Sequence, residues 1–261
     1  MTRTGAGTLL LQACLSAVVT VSSLLAQQDT TDLAAQLQAI HGKESVSLDQ
    51  FRRIQETFIR WADARLKQGR MAKMNEELAT AGLLGAKCGP GAEPSRALTY
   101  TLSGCLDDVT VSALSSGVTL ISLGIGTTCG YDETVVVYEE APLKQVAVFT
   151  HGPPGAAPPW SFPGFEVTKA DARGRRFIAA AGYMQWCTSR YGSFNLRIIE
   201  LAGSMTRTLL DRQVPGLNSD DRVTAQINGD QVTFEYPTQD FETRTVIETY
   251  RVQNGIATLV Q

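Results

Sequence analysis

Leu120-Ile121-Ser122-Leu123-Gly124, with Cys129 five residues after the glycine, and Ile178-Ala179-Ala180-Ala181-Gly182, with Cys187 five residues after its glycine, are the two stretches whose reading decides the fold. Both are short apolar runs of strand length, closed by a glycine and followed by a cysteine at the same distance. Downstream, Val135 to Glu140 and the run Gln145 to Phe149 match Leu196 to Leu201 and Thr206 to Leu210. The offset is 58 residues at the cysteines and 61 afterwards, which places a three-residue insertion at Ser189-Arg190-Tyr191-Gly192. Thr249 to Val252, a Gln253-Asn254-Gly255 turn and Ala257 to Val260 resemble the same last hairpin a third time, without the cysteine.

Around these units the chain from Ala97 onward alternates short Val, Ile, Thr, Tyr and Phe runs with turn residues, the signature of an antiparallel sheet protein. Three units, each ending in a hairpin, resemble blades of a β-propeller over residues 97–261. No Trp-Asp ending or kelch-type glycine pair accompanies them, and three blades are too few for the usual closed ring, so a β-sandwich is the alternative. Related units place Cys129 and Cys187 at equivalent positions of neighbouring sheets.

Upstream the pattern is helical. Leu33, Leu37 and Ile40 recur at helical spacing and His41-Gly42 ends that stretch. Ser47-Leu48-Asp49-Gln50 has the form of a capping box, and Phe51, Ile54, Phe58, Trp61 and Ala62 follow on one face. Met71, Met74, Leu78 and Ala81 mark a further helix that Gly82 can close. The Phe51, Phe58 and Trp61 stripe is a core-facing pattern, directed at the following domain or at a second copy of the chain. The expected class is therefore α+β, with a helical segment at 27–85 and an antiparallel β domain at 86–261.

Residues 1–26 carry Arg3, an apolar run from Leu9 to Leu25 broken by Gln12, Ser16 and Thr20, and a small-residue exit at Ala26. That is the layout of a cleaved secretory signal and is too short and polar for a stable membrane span. The expected location is secreted or periplasmic. Removing Arg3 with the leader moves the formal charge from −3 to −4, and no basic run stands out, which argues against nucleic acid as a partner. With Cys14 in the leader, Cys88, Cys105, Cys129 and Cys187 remain. In an oxidising compartment an even set reads as two disulfides, for which Cys88–Cys105 and Cys129–Cys187 are the favoured pairs. Their spacing and the lack of nearby histidine do not fit a zinc site.

The histidines are His41 and His151, so any Ser-His-Asp or Cys-His machinery must use one of them. His151 opens a Pro- and Gly-rich stretch, with Trp160, Phe162 and Phe165 as apolar anchors. It reads as a connector whose aromatics tuck onto the core, or as a lip that stacks a sugar ring or grips a peptide. Trp186, Arg190 and Tyr191 form a second candidate surface. Of the adjacent acids Asp107-Asp108, Asp132-Glu133, Glu139-Glu140 and Asp220-Asp221, those on strands point to opposite faces and make no carboxylate pair alone. No calcium loop, phosphate-binding glycine motif or dinucleotide fingerprint is present, and no cofactor is expected. The function these features favour is non-catalytic binding or assembly outside the cytoplasm, with a glycan or peptide as ligand. A carboxylate-dependent hydrolase, with His151 as helper, and a self-associating structural protein are the rivals.

Overall fold

The computed structural model describes residues 29–43, 46–84, 102–107, 109–114, 117–127, 130–140, 143–150, 160–184, 191–203, 205–217, 223–237 and 245–261. The first helix, α1, covers residues 29–40. Ser47 then caps α2 (Leu48–Lys67), its hydroxyl accepting from the Gln50 N–H at 3.2 Å, with Asp49 in the positive first turn. A 3₁₀ turn (Met71–Lys73) leads into the short α3 (Met74–Thr80), after which Gly82 turns the chain at φ 71°.

The other elements described are strands of three antiparallel sheets; two are meanders in chain order, and the first is a meander only over its last three strands. Sheet I holds β1 (Leu102–Leu106), β2 (Thr110–Leu114), β3 (Val118–Thr127), β4 (Gly130–Glu140) and β5 (Leu143–Phe149). Its β1 and β2 share one edge of β3, with Leu106 opposite Ile125 and Thr110 opposite Ser122. Sheet II contains β6 (Trp160–Val167), β7 (Arg175–Met184), β8 (Tyr191–Ala202) and β9 (Met205–Leu217). Sheet III contains β10 (Thr224–Asn228), β11 (Gln231–Pro237), β12 (Thr245–Gln253) and β13 (Ile256–Leu259). The three hairpins singled out in the sequence are β4–β5, β8–β9 and β12–β13, the third and fourth rows of their sheets. No sheet closes into a barrel, and the described sheets form no closed propeller ring.

The alternation of side chains explains the stacking. On β3, Ile121, Leu123 and Ile125 point one way and pack with Phe51, Phe58 and Trp61 of α2 and with Val136 and Tyr138 of β4. Val118 and Leu120 point the other way, joining Val135, Val137 and Phe149 against Phe162, Ile178 and Ala180 of sheet II. Sheet II in turn sets Phe194, Leu196 and Ile198 against Phe234, Tyr236 and Tyr250 of sheet III. The layers run helices, sheet I, sheet II, sheet III, and the aromatic stripe of α2 is spent on sheet I. Each fully buried Phe or Leu in these seams contributes roughly 1.5–3 kcal/mol over leaving it exposed.

Polar links lock the seams. Gln55 on α2 donates to Thr134 (3.0 Å) and Thr150 (2.7 Å) of sheet I. Arg176 of β7 pairs with Glu139 of β4 at 3.0 Å. Between sheets II and III the buried Glu248 accepts from the Tyr236 and Tyr250 hydroxyls, both at 2.6 Å, and from Arg212 at 2.8 Å. Burial first, and the Glu248 contact second, push the Tyr236 phenol above its ordinary value, and Tyr250 shifts the same way. Tyr138 is raised too, by burial and then by Asp63, but its hydroxyl has no hydrogen-bond partner among the described residues.

These two kinds of tyrosine separate experimentally. Tyr236→Phe removes a donor from a buried carboxylate and is expected to cost about 1–2 kcal/mol, whereas Tyr138→Phe is expected to cost no more than about 0.5 kcal/mol, both by urea unfolding. A raised phenol pKa favours the folded state fully below the ordinary value of about 10, and that contribution is lost as pH climbs above it. The unfolding midpoint of the parent should accordingly fall with pH above about 10.

Candidate functional site

On the face that sheet I turns toward sheet II, the side chains change character along the strands. Leu114, Val118, Leu120, Val135 and Val137 fill the half nearest the β2–β3 turn. Polar and small groups share that face from the same rows onward: Ser112 level with Leu120 and Val137, Thr110 and Ser122 level with Val135, and Gly124 opposite Glu133 in the next row. Small and polar groups leave the space unfilled. A cavity of about 330 Å³ results, open to solvent and closed on its far side by Phe162, Pro163 and Phe165 of β6, with Asp107 at its margin.

Local sequence explains how β6 reaches this position. Pro163 has no N–H to give a ladder, and the β6–β7 register shifts between Ser161 and Gly164. The Phe162 N–H is taken instead by Glu133 Oε2 at 2.6 Å, while Ser122 Oγ donates to Glu133 Oε1. Phe162 is only 6 % exposed and meets Phe149 edge-on at 6.2 Å, with Phe165 against the same ring at 4.7 Å. Gly164 allows the next contact, because a Cβ there would sit 3.0 Å from the Ala225 nitrogen of β10. Two residues on, Glu166 Oε2 accepts the Ile227 N–H at 2.5 Å.

The cavity therefore holds one carboxylate fixed by two donors, a second carboxylate at its margin, three hydroxyls and two aromatic rings. Among the described residues no Lys, Arg or His lines it. Each Glu133 oxygen keeps acceptor capacity for a further donor, since a carboxylate offers about four lone-pair sites. Among the described residues no group of three His, Cys, Asp or Glu is placed to hold a metal ion. No helix among them is long and apolar enough to cross a membrane.

Of the candidate ligand residues singled out in the sequence, Trp160, Phe162 and Tyr191 lie in described strands, at one end of sheet II. Trp160 begins β6 opposite Met184, the last residue of β7, and Tyr191 begins β8. Trp160-Ser161 of the first candidate surface and Tyr183-Met184 of the second are therefore paired neighbours in sheet II. His151, Trp186, Arg190, Cys88, Cys129, Cys187, Asp108 and Asp220-Asp221 lie outside the described residues, as does the leader. Cys105 is buried on β1. His41 sits at the end of α1, where its Cβ lies 2.8 Å from the position a Gly104 Cβ would take.

Asp132 and Glu133 point to opposite faces of β4: Asp132 is buried at 2 % exposure and Glu133 faces the cavity. Glu139 pairs with Arg176, and Glu140 accepts from Thr119 at 2.8 Å. The meeting of Asp107 with Glu133, from two different acid pairs, is what sequence reasoning missed. Comparison with family models, curated proteins and solved structures gives no match to this chain.

Replacing Glu133 tests its hold on β6. Glu133→Ala strands a half-buried N–H and a hydroxyl and is expected to cost about 1–3 kcal/mol by urea unfolding. Glu133→Gln keeps one acceptor and one donor in place and should cost less than half as much.

Proposed function

We propose that this is an exported, non-catalytic binding protein whose ligand enters the cleft between sheet I and β6. The observation that carries the reading is the cavity itself: about 330 Å³, at the small end of ligand sites, with hydroxyls, aromatic edges and a pre-positioned carboxylate converging on it. Trp160 begins the same strand, β6, that closes the cavity, and Tyr191 begins the strand two rows on, so both belong to the proposed surface together with His151, Trp186 and Arg190 of the sequence. A glycan or a peptide fits these groups. The three meanders are read as related blades in an open stack.

A second reading, a carboxylate-dependent hydrolase, has one observation in its favour, the presence of Asp107 and Glu133 on one cavity. Against it, both Glu133 oxygens already accept hydrogen bonds inside the fold, which suits a positioned acceptor better than a proton donor. The two readings separate on glycan and peptide arrays combined with turnover assays. Phe165→Ala, and the Trp160→Ala, Trp186→Ala double variant, should each weaken binding of the same ligand about tenfold or more without any product appearing. Product formation that Asp107→Asn abolishes would establish the hydrolase instead, and unchanged binding by every variant would remove the proposed surface.

The exported setting carries a covalent proposal as well. Cys129 falls in the chain between β3 and β4 and Cys187 between β7 and β8, the same end of two adjoining sheets, which supports their pairing; Cys88–Cys105 is the companion bond. Non-reducing peptide mapping of protein secreted by its own leader should find these two linkages and a mature start near residue 27. Any other pairing, or four free thiols, overturns the assignment.

A further inference from the structure

Resting on the binding reading, we infer that the cavity takes a cation on an apolar stem, the side chain of a Lys or Arg in a peptide, and not a sugar. Three features of the lining lead there. Its ionisable groups among the described residues are the carboxylates of Asp107 and Glu133, with no cationic side chain among the described lining residues to balance them. The floor is apolar: Leu114, Leu120 and Val135 flank the polar half, and a lysine or arginine stem can lie along such a surface while its head reaches the acids. The Phe162 and Phe165 rings extend that apolar surface for the stem.

A sugar uses the same hydroxyls, but it would leave the half-buried Glu133 carboxylate without an opposite charge, with the exposed Asp107 adding to the negative field. An anionic ligand would add repulsion to that cost. A primary ammonium brings three donors and a guanidinium five, which meet the remaining acceptor sites on Glu133, Asp107 and the Thr110, Ser112 and Ser122 hydroxyls. At about 330 Å³ the cleft holds a side chain and not a folded partner segment, so the peptide backbone stays at its rim.

The test uses the full mature chain and five-residue capped peptides, Gly-Gly-Xaa-Gly-Gly, with Xaa as Lys, norleucine or Glu, and a neutral oligosaccharide as a further arm. Amide NMR shifts of Gly124 and Phe162 report the site, and the rest of the spectrum reports the fold. The Lys peptide should bind about tenfold tighter than the norleucine peptide, the margin expected when a charged hydrogen bond replaces none. The Glu peptide should not bind, and Asp107→Asn should cut the Lys preference to about threefold or less, because one of two charged acceptors is gone.

Equal affinity for all three peptides, or shifts from the oligosaccharide with none from the Lys peptide, overturns the charge preference while leaving a binding site at the cleft. If no probe moves Gly124 or Phe162, and Phe165→Ala changes no interaction on the arrays, the binding reading itself fails.

Discussion

Two glutamates settle a problem that every stack of meanders faces. The first strand of each following sheet, β6 and β10, is an edge strand, and the neighbouring sheet partly covers its outward N–H groups. Such groups must be paired once water is removed. Glu133 of sheet I accepts the Phe162 N–H of β6, and Glu166 of β6 accepts the Ile227 N–H of β10. A carboxylate reaches a backbone donor in a neighbouring sheet without requiring strand pairing, so the sheets stay separate meanders and do not fuse into one wide sheet. Gly164 near Ala225 and Glu166 at Ile227 also place β6 and β10 side by side in the same direction.

The layering follows from the two faces of each sheet. Sheet I is apolar on both faces, so it needs two covers, and the helices supply one while sheet II supplies the other. Sheet III ends the series because its outward residues are mainly Thr, Gln and Arg, including Gln226, Thr233, Thr249 and Arg251, with Ile247 and Ile256 as exposed exceptions. A polar outer face needs no further layer. Its inner face is where Glu248 gathers Arg212, Tyr236 and Tyr250. A buried charge costs several kcal/mol unless paired, and here three donors share one carboxylate, which fixes how sheet III sits on sheet II.

The strands and helices were legible because period-2 and helical spacing are strong here: Val135 to Glu140 alternates between two apolar seams, and Phe51, Phe58 and Trp61 mark one face. The edge at β6 was harder. The Pro- and Gly-rich stretch through Phe165 read as a connector or lip, whereas β6 begins at Trp160, since a proline sits without penalty at a bulge of an edge strand. Phe162, read as a possible ligand contact, is seated mostly against Phe149 and shows the cavity little more than its rim. The cavity itself was not legible. It depends on which residues of β2, β3 and β4 share a row, and a single-residue slip in register would turn Glu133 toward the helices. One signal was present: a glutamate directly before an apolar run on a strand covered on both faces needs a partner, and Ser122 and a free edge N–H are what such a residue finds.

The energetics argue that this cleft is no packing fault. If it were an enclosed apolar void, its roughly 330 Å³ would cost about 8 kcal/mol at the usual penalty per unit of cavity volume, comparable to the whole stability of a domain. A fold cannot carry that loss unaided. The space is tolerable because its walls are hydroxyls and carboxylates that water or a ligand can satisfy, and because it opens to solvent. Larger residues at Ser112, Ser122 or Gly124 would have continued the Leu114, Leu120 and Val137 seam and buried more apolar area. The chain instead places small polar groups around a carboxylate that is held rigid by its own sheet and by the next one, an arrangement that forgoes packing energy and leaves positioned acceptors facing an accessible space.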